Sequence, residues 1–398
     1  MGGQILHIDI AIIGGGVAGL WTLNQLRNRG YSAVLFESEA LGSHQTIGSQ
    51  GMIHGGVKYA LAGAWSVASQ AISRMPGIWR ECLAGKGRVD LRGCRILSDE
   101  FFLWTTADLQ SRIGSFFASK LLRGHVEKLA VKDYPAPLRS ADFSGTVYRL
   151  ADLVLDVASL VETLAARQRE AIFAIDWQQA SLLREGRQAT LQLAGCTVLP
   201  QQLVLAAGAG NESLITGLGS TLPSMQRRPL QQVLVRHEYQ EPLFGHCMGN
   251  SGSPRLTVSS HRDHAGQPIW YLGGDLSTGA ALDTPEVLID RARQELARLM
   301  PWLNLGATQW TTLSLDRAEP AQAGLLRPDT AFVGKLDSVD NARAAWPTKL
   351  TLCPDLADEL ERQLTDEKIL PRHLQDLTPL AGKARPGFAR PYWDTLFQ

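Results

Sequence analysis

One stretch near the start of the chain leaves little choice of architecture. Residues 8–13 read I-D-I-A-I-I, a nearly all-apolar run of the kind buried on both faces of a parallel sheet. Gly14-Gly15-Gly16-Val17-Ala18-Gly19 follows at once, then a helical segment over Leu20 to Arg29, then a second apolar strand from Ala33 to Phe36 closed by Glu37. G-x-G-x-x-G in the order strand, turn, helix, strand, acid predicts a β-α-β unit that holds a dinucleotide. Gly14 permits the tight turn, Gly16 lets a pyrophosphate approach the backbone, and Gly19 allows helix and strand to pack closely. The N–H groups and dipole at the helix start attract phosphate, and Glu37 is placed to accept hydrogen bonds from a ribose diol. The competing reading is an ordinary glycine-rich turn between a strand and a helix.

The totals narrow the class. A chain of 398 residues can bury a large core, as two domains or one interleaved α/β body. Lys+Arg and Asp+Glu are equal at 39 each, so no global charge points to nucleic acid as a partner. Cys82, Cys94, Cys196, Cys247 and Cys353 form no C-x-x-C and no zinc spacing. They read as reduced thiols of a cytoplasmic protein, and no metal site is expected. The first residues lack the basic and apolar regions of a secretory signal, and no apolar run is long enough to span a bilayer.

Further along, residues 41–62 are rich in glycine, serine and histidine, leaving room for backbone to lie against a ligand. Helices are expected over Ala64 to Leu83, Asp108 to Leu129, 152–170 and Glu286 to Met300, and from about Pro354. Around Ile113 to Lys128, Phe116, Phe117, Leu121 and Leu122 are mixed with Arg112, Lys120, Arg123 and Lys128. Two readings stand: a surface helix with one buried face, or a weak peripheral contact with an anionic membrane. Strands are expected over Leu91 to Thr105, Gln188 to Leu193 and Val198 to Ala206, and at Ala331 to Gly334. Gln232 to Tyr239, Arg255 to His261, Pro268 to Gly273 and Gln309 to Leu315 read as antiparallel strands of an inserted sheet. The tail from Thr365, rich in Pro, Arg and aromatics, is expected to run along the surface.

Several spaced segments resemble one family. The fingerprint through Glu37, V-L-A-A-G-A-G-N at 204–211, Y-L-G-G-D at 271–275, L-D-R-A-E-P at 315–320 and A-W-P-T-K-L-T-L at 345–352 are similar to motifs of the D-amino-acid oxidase/glycine oxidase superfamily of FAD-dependent oxidoreductases. S-H-Q-T-x-x-S-x-x-x-I-H-G-G, residues 43–56, resembles L-2-hydroxyglutarate oxidases, and I-H-G-G-V-K-Y resembles glycerol-3-phosphate dehydrogenases with Lys58 in place of Arg. Lys offers a point charge where Arg offers a fork, which weakens the case for a phosphate substrate.

The resemblance implies an α/β fold: a Rossmann-like FAD-binding domain (1–80, 149–222, 316–364) and an inserted, mainly antiparallel substrate domain with helices (81–148, 223–315), as in glutathione-reductase-2-like proteins, then a tail over 365–398. It implies FAD contacts at Gly14, Gly16, Val17, Ala18, Gly19, Glu37 and Ser38, at His44, Gln45, Ser49, Gln50 and Gly51, at Ala207 and Gly208, and at Lys349, Leu350 and Thr351. No second nucleotide fingerprint follows Gly208 and Gly210, so electrons are expected from a reduced small molecule and not from a nicotinamide.

The implied reaction moves hydride from a C–H beside an amine or hydroxyl to the flavin N5. A hydroxyl must lose a proton as hydride leaves and needs a base, whereas an amine can bind neutral. His54 is the first candidate base, with a flavin contact, a covalent flavin link or a structural role as the other readings. Lys58 and Tyr59 are candidates to bind a substrate acid group, against a solvated Lys and a packed Tyr; Arg317 and Lys349 are candidates for a carboxylate clamp, against surface ion pairs. His246, His261 and His264 read as surface or satisfied histidines. The donor class stays open between an amino acid or amine and a 2-hydroxy acid, and the acceptor between oxygen and a quinone or other carrier. A glycerol-3-phosphate-type dehydrogenase and a non-catalytic FAD-binding subunit are the alternatives, and oligomeric state is not legible.

Overall fold

A computed structural model describes residues 4–56, 72–107, 126–249, 253–277, 283–323 and 328–397. Lys58 and Tyr59 therefore lie outside the described residues, as does most of the basic amphipathic segment. The first half of the chain contributes β1 (Gln4–Ile13), α1 (Val17–Asn28), β2 (Ala33–Glu37), β3 (Ala40–Leu41), β4 (Met52–Ile53), α2 (Met75–Leu83), β5 (Ile96–Ser98), β6 (Phe101–Trp104), β7 (Val126–Lys128), β8 (Val147–Leu150), β9 (Leu153–Leu155), α3 (Val157–Arg167) and β10 (Ile172–Ala174). The second half contributes β11 (Ser181–Glu185), β12 (Gln188–Leu193), β13 (Cys196–Leu205), α4 (Asn211–Gly217), β14 (Met225–Arg236), β15 (Gly245–Met248), β16 (Pro254–Arg262), β17 (Pro268–Gly273), α5 (Pro285–Leu299), β18 (Gln309–Pro320), β19 (Phe332–Lys335), β20 (Ala342–Trp346), α6 (Cys353–Asp366), β21 (Gly387–Phe388) and α7 (Trp393–Leu396).

Two large sheets organise these elements. The first has the order β10-β2-β1-β13-β12-β11, with β20 also on β13 and β19 beside β20. Its centre is parallel: β1 lies between β2 and β13, and Leu203 to Leu205 pair with Ala342 to Ala344. The apolar run at the start of the chain is thus buried on both faces. One face packs on α1, α2, α3 and α6, where the Trp21 and Trp79 rings meet at 4.6 Å; the other buries Phe36, Phe173, Val198 and Trp346 of its own strands in a second core. The second sheet runs β18-β14-β17-β16-β15-β6-β8-β7 and is antiparallel except where β15 meets β6. α5 covers it, burying Leu288, Ala292, Leu296 and Leu299 against Trp270 and Val258. A small sheet of β4, β9 and β5 lies between the parts.

Two expectations need correction. Val126–Lys128, taken as the end of a helix, is a strand whose Val126 pairs with Leu150; the ladder to β8 overrides the local helical pattern. The strand expected from Gln232 begins at Met225, because β18 pairs with β14 from Met225 through Arg236. The tail does follow the surface, with β21 parallel to β3. Among the described residues no helix is long and apolar enough to cross a membrane.

Candidate FAD and substrate site

The glycine turn shapes the floor of the site. Gly14 adopts φ 112°, and its N–H donates to Phe36 O at 2.8 Å. A Cβ there would lie 2.6 Å from Ala206 O, so only glycine lets the turn pass the end of β13. α1 then starts at Val17 with no side-chain cap and no acid in its first turn, which leaves its positive end to a ligand. The Val17 N–H donates to Thr46 Oγ1 at 3.2 Å. Glu37 accepts from the Gly15 N–H at 2.5 Å and from the Glu39 N–H at 2.7 Å, which holds its carboxylate beside the turn. A carboxylate has lone pairs beyond these two bonds, so it can still receive a ribose hydroxyl.

Residues 43–51 form the bridge between the two sheets. Gln45 Oε1 accepts from the Ala318 N–H at 3.1 Å, and Gln50 Nε2 donates to Tyr271 O at 2.7 Å. The Tyr271 hydroxyl donates to Gly48 O at 2.8 Å, and burial pushes its pKa up, so it remains a donor. Gly51, at φ 72°, passes so close to Leu155 O that a Cβ would lie 2.0 Å away.

These elements enclose a cavity of about 910 Å³, at the upper end of the range for small-molecule sites. Its wall includes Gly14, Gly16, Val17, Ala18, Glu37, Ser38, His44, Gln45, Ser49, Gln50, Gly51, Ala207, Gly208, Leu350 and Thr351, together with His54, Arg317 and Lys349. Gly19 is not part of the wall. A Cβ on it would lie 2.0 Å from Gly14 O, so its task is the close approach of α1 to the turn. The Ser49 and Ser277 hydroxyls, both on the wall, are buried without a hydrogen-bond partner among the described residues. Orphaned buried hydroxyls are costly, and a polar ligand would satisfy them. An uncapped helix start, an acid beside the turn, side-chain-free backbone and orphaned hydroxyls together fit FAD.

At the catalytic end, His54 Nδ1 lies 3.1 Å from Asp152 Oδ2, while Asp152 Oδ1 accepts from the Gly55 N–H at 2.7 Å. The His54 N–H donates to Thr351 Oγ1 at 3.1 Å, tying β4 to the turn before α6. The His246 ring stacks on His54 at 5.6 Å, meets Phe101 at 4.7 Å and bonds Thr257 Oγ1 through Nδ1 at 2.8 Å. His246 is buried on the cavity wall and so is not a surface histidine, while its bond to Thr257 fits the satisfied reading. His261 is buried against Ser259 with its pKa pushed down to about 4, and His264 is exposed beside Asp394, as expected of histidines outside the site. Lys349 Nζ pairs with Asp329 at 3.3 Å, so part of its charge is already answered. Asp152 and His246 carried no signal in the sequence; only the fold brings them to His54. Among the described residues no cluster could hold a metal ion.

A dinucleotide turn at the end of a central parallel strand, joined to an antiparallel sheet across a deep cavity, defines a two-lobed flavoprotein oxidoreductase. The family model described as FAD dependent oxidoreductase (DAO) matches residues 9–341. The chain belongs to this DAO family of FAD-dependent oxidoreductases, and FAD is its cofactor. A probable FAD-dependent oxidoreductase of Pseudomonas aeruginosa is 46% identical over 397 residues, 99% of each chain. A crystal structure of an FAD-dependent oxidoreductase from that organism is similar at a TM-score of 0.86 and 41% identity, covering 99% of each chain. Glycine oxidase from Geobacillus kaustophilus shares the fold at a TM-score of 0.62 and 18% identity, over 94% of this chain and 98% of that one.

Proposed function

We propose that the protein oxidises a small 2-hydroxy acid at its hydroxyl-bearing carbon, with His54 as the base. The observation that carries this reading is His54 on the cavity wall with Asp152 buried behind it and bonded to its Nδ1. Asp152 accepts from Nδ1–H, which fixes the tautomer and makes Nε2 the basic nitrogen. The Asp152 charge also stabilises the imidazolium formed when His54 takes the hydroxyl proton. Bound FAD supplies the acceptor for the hydride that leaves the carbon. Arg317, on the wall at the second sheet, is the candidate to hold the substrate carboxylate, since its fork matches that group. His246, stacked on His54, forms a second polar face for the substrate.

The same reading divides the chain by sheet. The first sheet and its helices hold FAD, and β6–β8 with β14–β18 cover the substrate. An amino acid or amine donor is the second class to test, because it would need no base. The test is anaerobic addition of 2-hydroxy acids, small amino acids, N-methyl amines and glycerol 3-phosphate to the FAD-loaded protein, read by flavin absorbance. Bleaching by a 2-hydroxy acid, slowed in His54→Gln, is expected. Bleaching by amino acids alone, at the same rate in His54→Gln, would overturn the reading. Readmitting air, then a quinone, identifies the electron acceptor.

A further inference from the structure

The family match ends at residue 341, yet the cavity wall includes Tyr392. The segment that presents it is tied down at both ends. On the FAD side, the Ala174 N–H donates to Ala384 O at 2.8 Å, and the Arg385 guanidinium lies 3.9 Å from the Phe173 ring centre. β21 then pairs with β3, immediately after the Glu37 strand, and the Ala389 N–H donates to Leu41 O at 3.0 Å. On the substrate side, Trp393 stacks on His261 at 4.4 Å, with ring planes 27° apart. Asp394 accepts from the His264 N–H at 2.8 Å, and Arg236 donates to Phe397 O at 3.2 Å. Tyr392, Trp393 and Phe397 pack on a small apolar cluster of Leu234, Ile269, Tyr271 and Leu313. The tail therefore joins the two sheets across the mouth of the site, as a strap fastened on each.

Tyr392 sits where this strap crosses the 43–51 bridge. Its ring edge lies 3.3 Å from where a Cβ on Gly48 would be, beside the segment that links the α1 start to the second sheet. A ring held half-buried on a cavity wall, between two anchors, is pre-ordered to receive a flat or sugar-bearing ligand at little entropic cost.

We propose that Tyr392 is an FAD-contacting residue, delivered to the cavity by a C-terminal clasp running from Ala384 to Phe397. The inference rests on FAD as the family's cofactor and is independent of the substrate reading. Contact with an aromatic wall is worth about a tenfold or greater change in affinity for a nucleotide-like ligand.

The experiment titrates FAD into the apo forms of the full-length chain and follows flavin fluorescence, so no turnover enters the readout. Tyr392→Ala should raise the FAD Kd about tenfold or more, while Leu374→Ala, exposed in the tail ahead of the clasp, should leave it unchanged. Tyr392→Leu keeps apolar bulk against the cluster of Leu234, Ile269, Tyr271 and Leu313 and guards against a folding defect; it should also weaken FAD. Wild-type FAD affinity in a folded Tyr392→Ala or Tyr392→Leu protein overturns the proposal. A protein that binds FAD as expected in this series but oxidises none of the panel compounds would refute the substrate reading and leave the clasp standing.

Discussion

His54 and Asp152 are joined by one hydrogen bond of 3.1 Å although nearly a quarter of the chain separates them. The carboxylate is buried and its second oxygen is held by the Gly55 N–H, so the pair is braced from both sides. Replacing His54 by Gln should slow anaerobic flavin reduction by about 10²–10⁴-fold, the usual worth of a positioned base. Asp152→Asn keeps an acceptor for Gly55 but removes the charge, and should cost about tenfold or more with FAD affinity unchanged. Stopped-flow reduction at several pH values measures both. Wild-type rates across the profile in both variants would remove the pair from the chemistry.

The turn itself can be tested by adding one methyl group. In Gly19→Ala the new carbon meets Gly14 O at 2.0 Å, and backbone must move. Loss of yellow colour on purification and a stability loss of about 1–3 kcal/mol are expected, the usual cost of forcing atoms into a packed site. Gly77→Ala is the matched control: it lies in α2 with nothing within 4 Å of the added carbon. It should raise stability by about 0.5–1 kcal/mol through helix propensity. Absorbance at the flavin band and chemical denaturation report the two effects.

Acid should loosen the second sheet before it reaches the carboxylates. Burial pushes the pKa of His237 and of His261 down to about 4 from an ordinary 6.5. Between those values the unfolded chain binds protons that the folded chain refuses. Stability therefore falls as pH falls from 6.5 towards 4, by up to about 1.4 kcal/mol per pH unit for each ring. His237→Asn combined with His261→Gln should flatten that part of the curve. Urea midpoints at pH 7 and pH 5 decide it: an equal midpoint shift in wild type and double variant would mean other groups control the acid limb.

The legibility of this chain follows the range of the interactions involved. The β1-α1-β2 unit was readable because its signals are local: an apolar strand, a turn that only glycine can make, and an acid at the end of the next strand. α5 and most strands of the second sheet were readable from periodicity. His246 was not, because β15 is a short apolar strand whose one histidine gains meaning only when β15 pairs with β6 and faces His54. Asp152 looked like one acid among many until β9 paired with β4 and placed it under His54. Val126–Lys128 misled for the converse reason: a basic, helix-like composition yielded to a ladder with β8. The tail was expected on the surface, but its aromatic anchors on His261 and Arg236 have no sequence spacing to announce them.

The central position of β1 sets the order in which this protein can be made. Ile13 pairs with Leu205, and Leu205 pairs in turn with Ala344. At about 5–20 residues per second, the ribosome delivers the last of these partners tens of seconds after the first has emerged. β2 covers one edge of β1 early, but the other edge waits for β13, and β13 in turn waits for β20, a state prone to non-native pairing. The nucleotide-binding strand, first to be synthesised, is among the last to be fully enclosed. Recombinant yield should therefore respond to slower synthesis and to chaperone supply more than to any change on the finished surface.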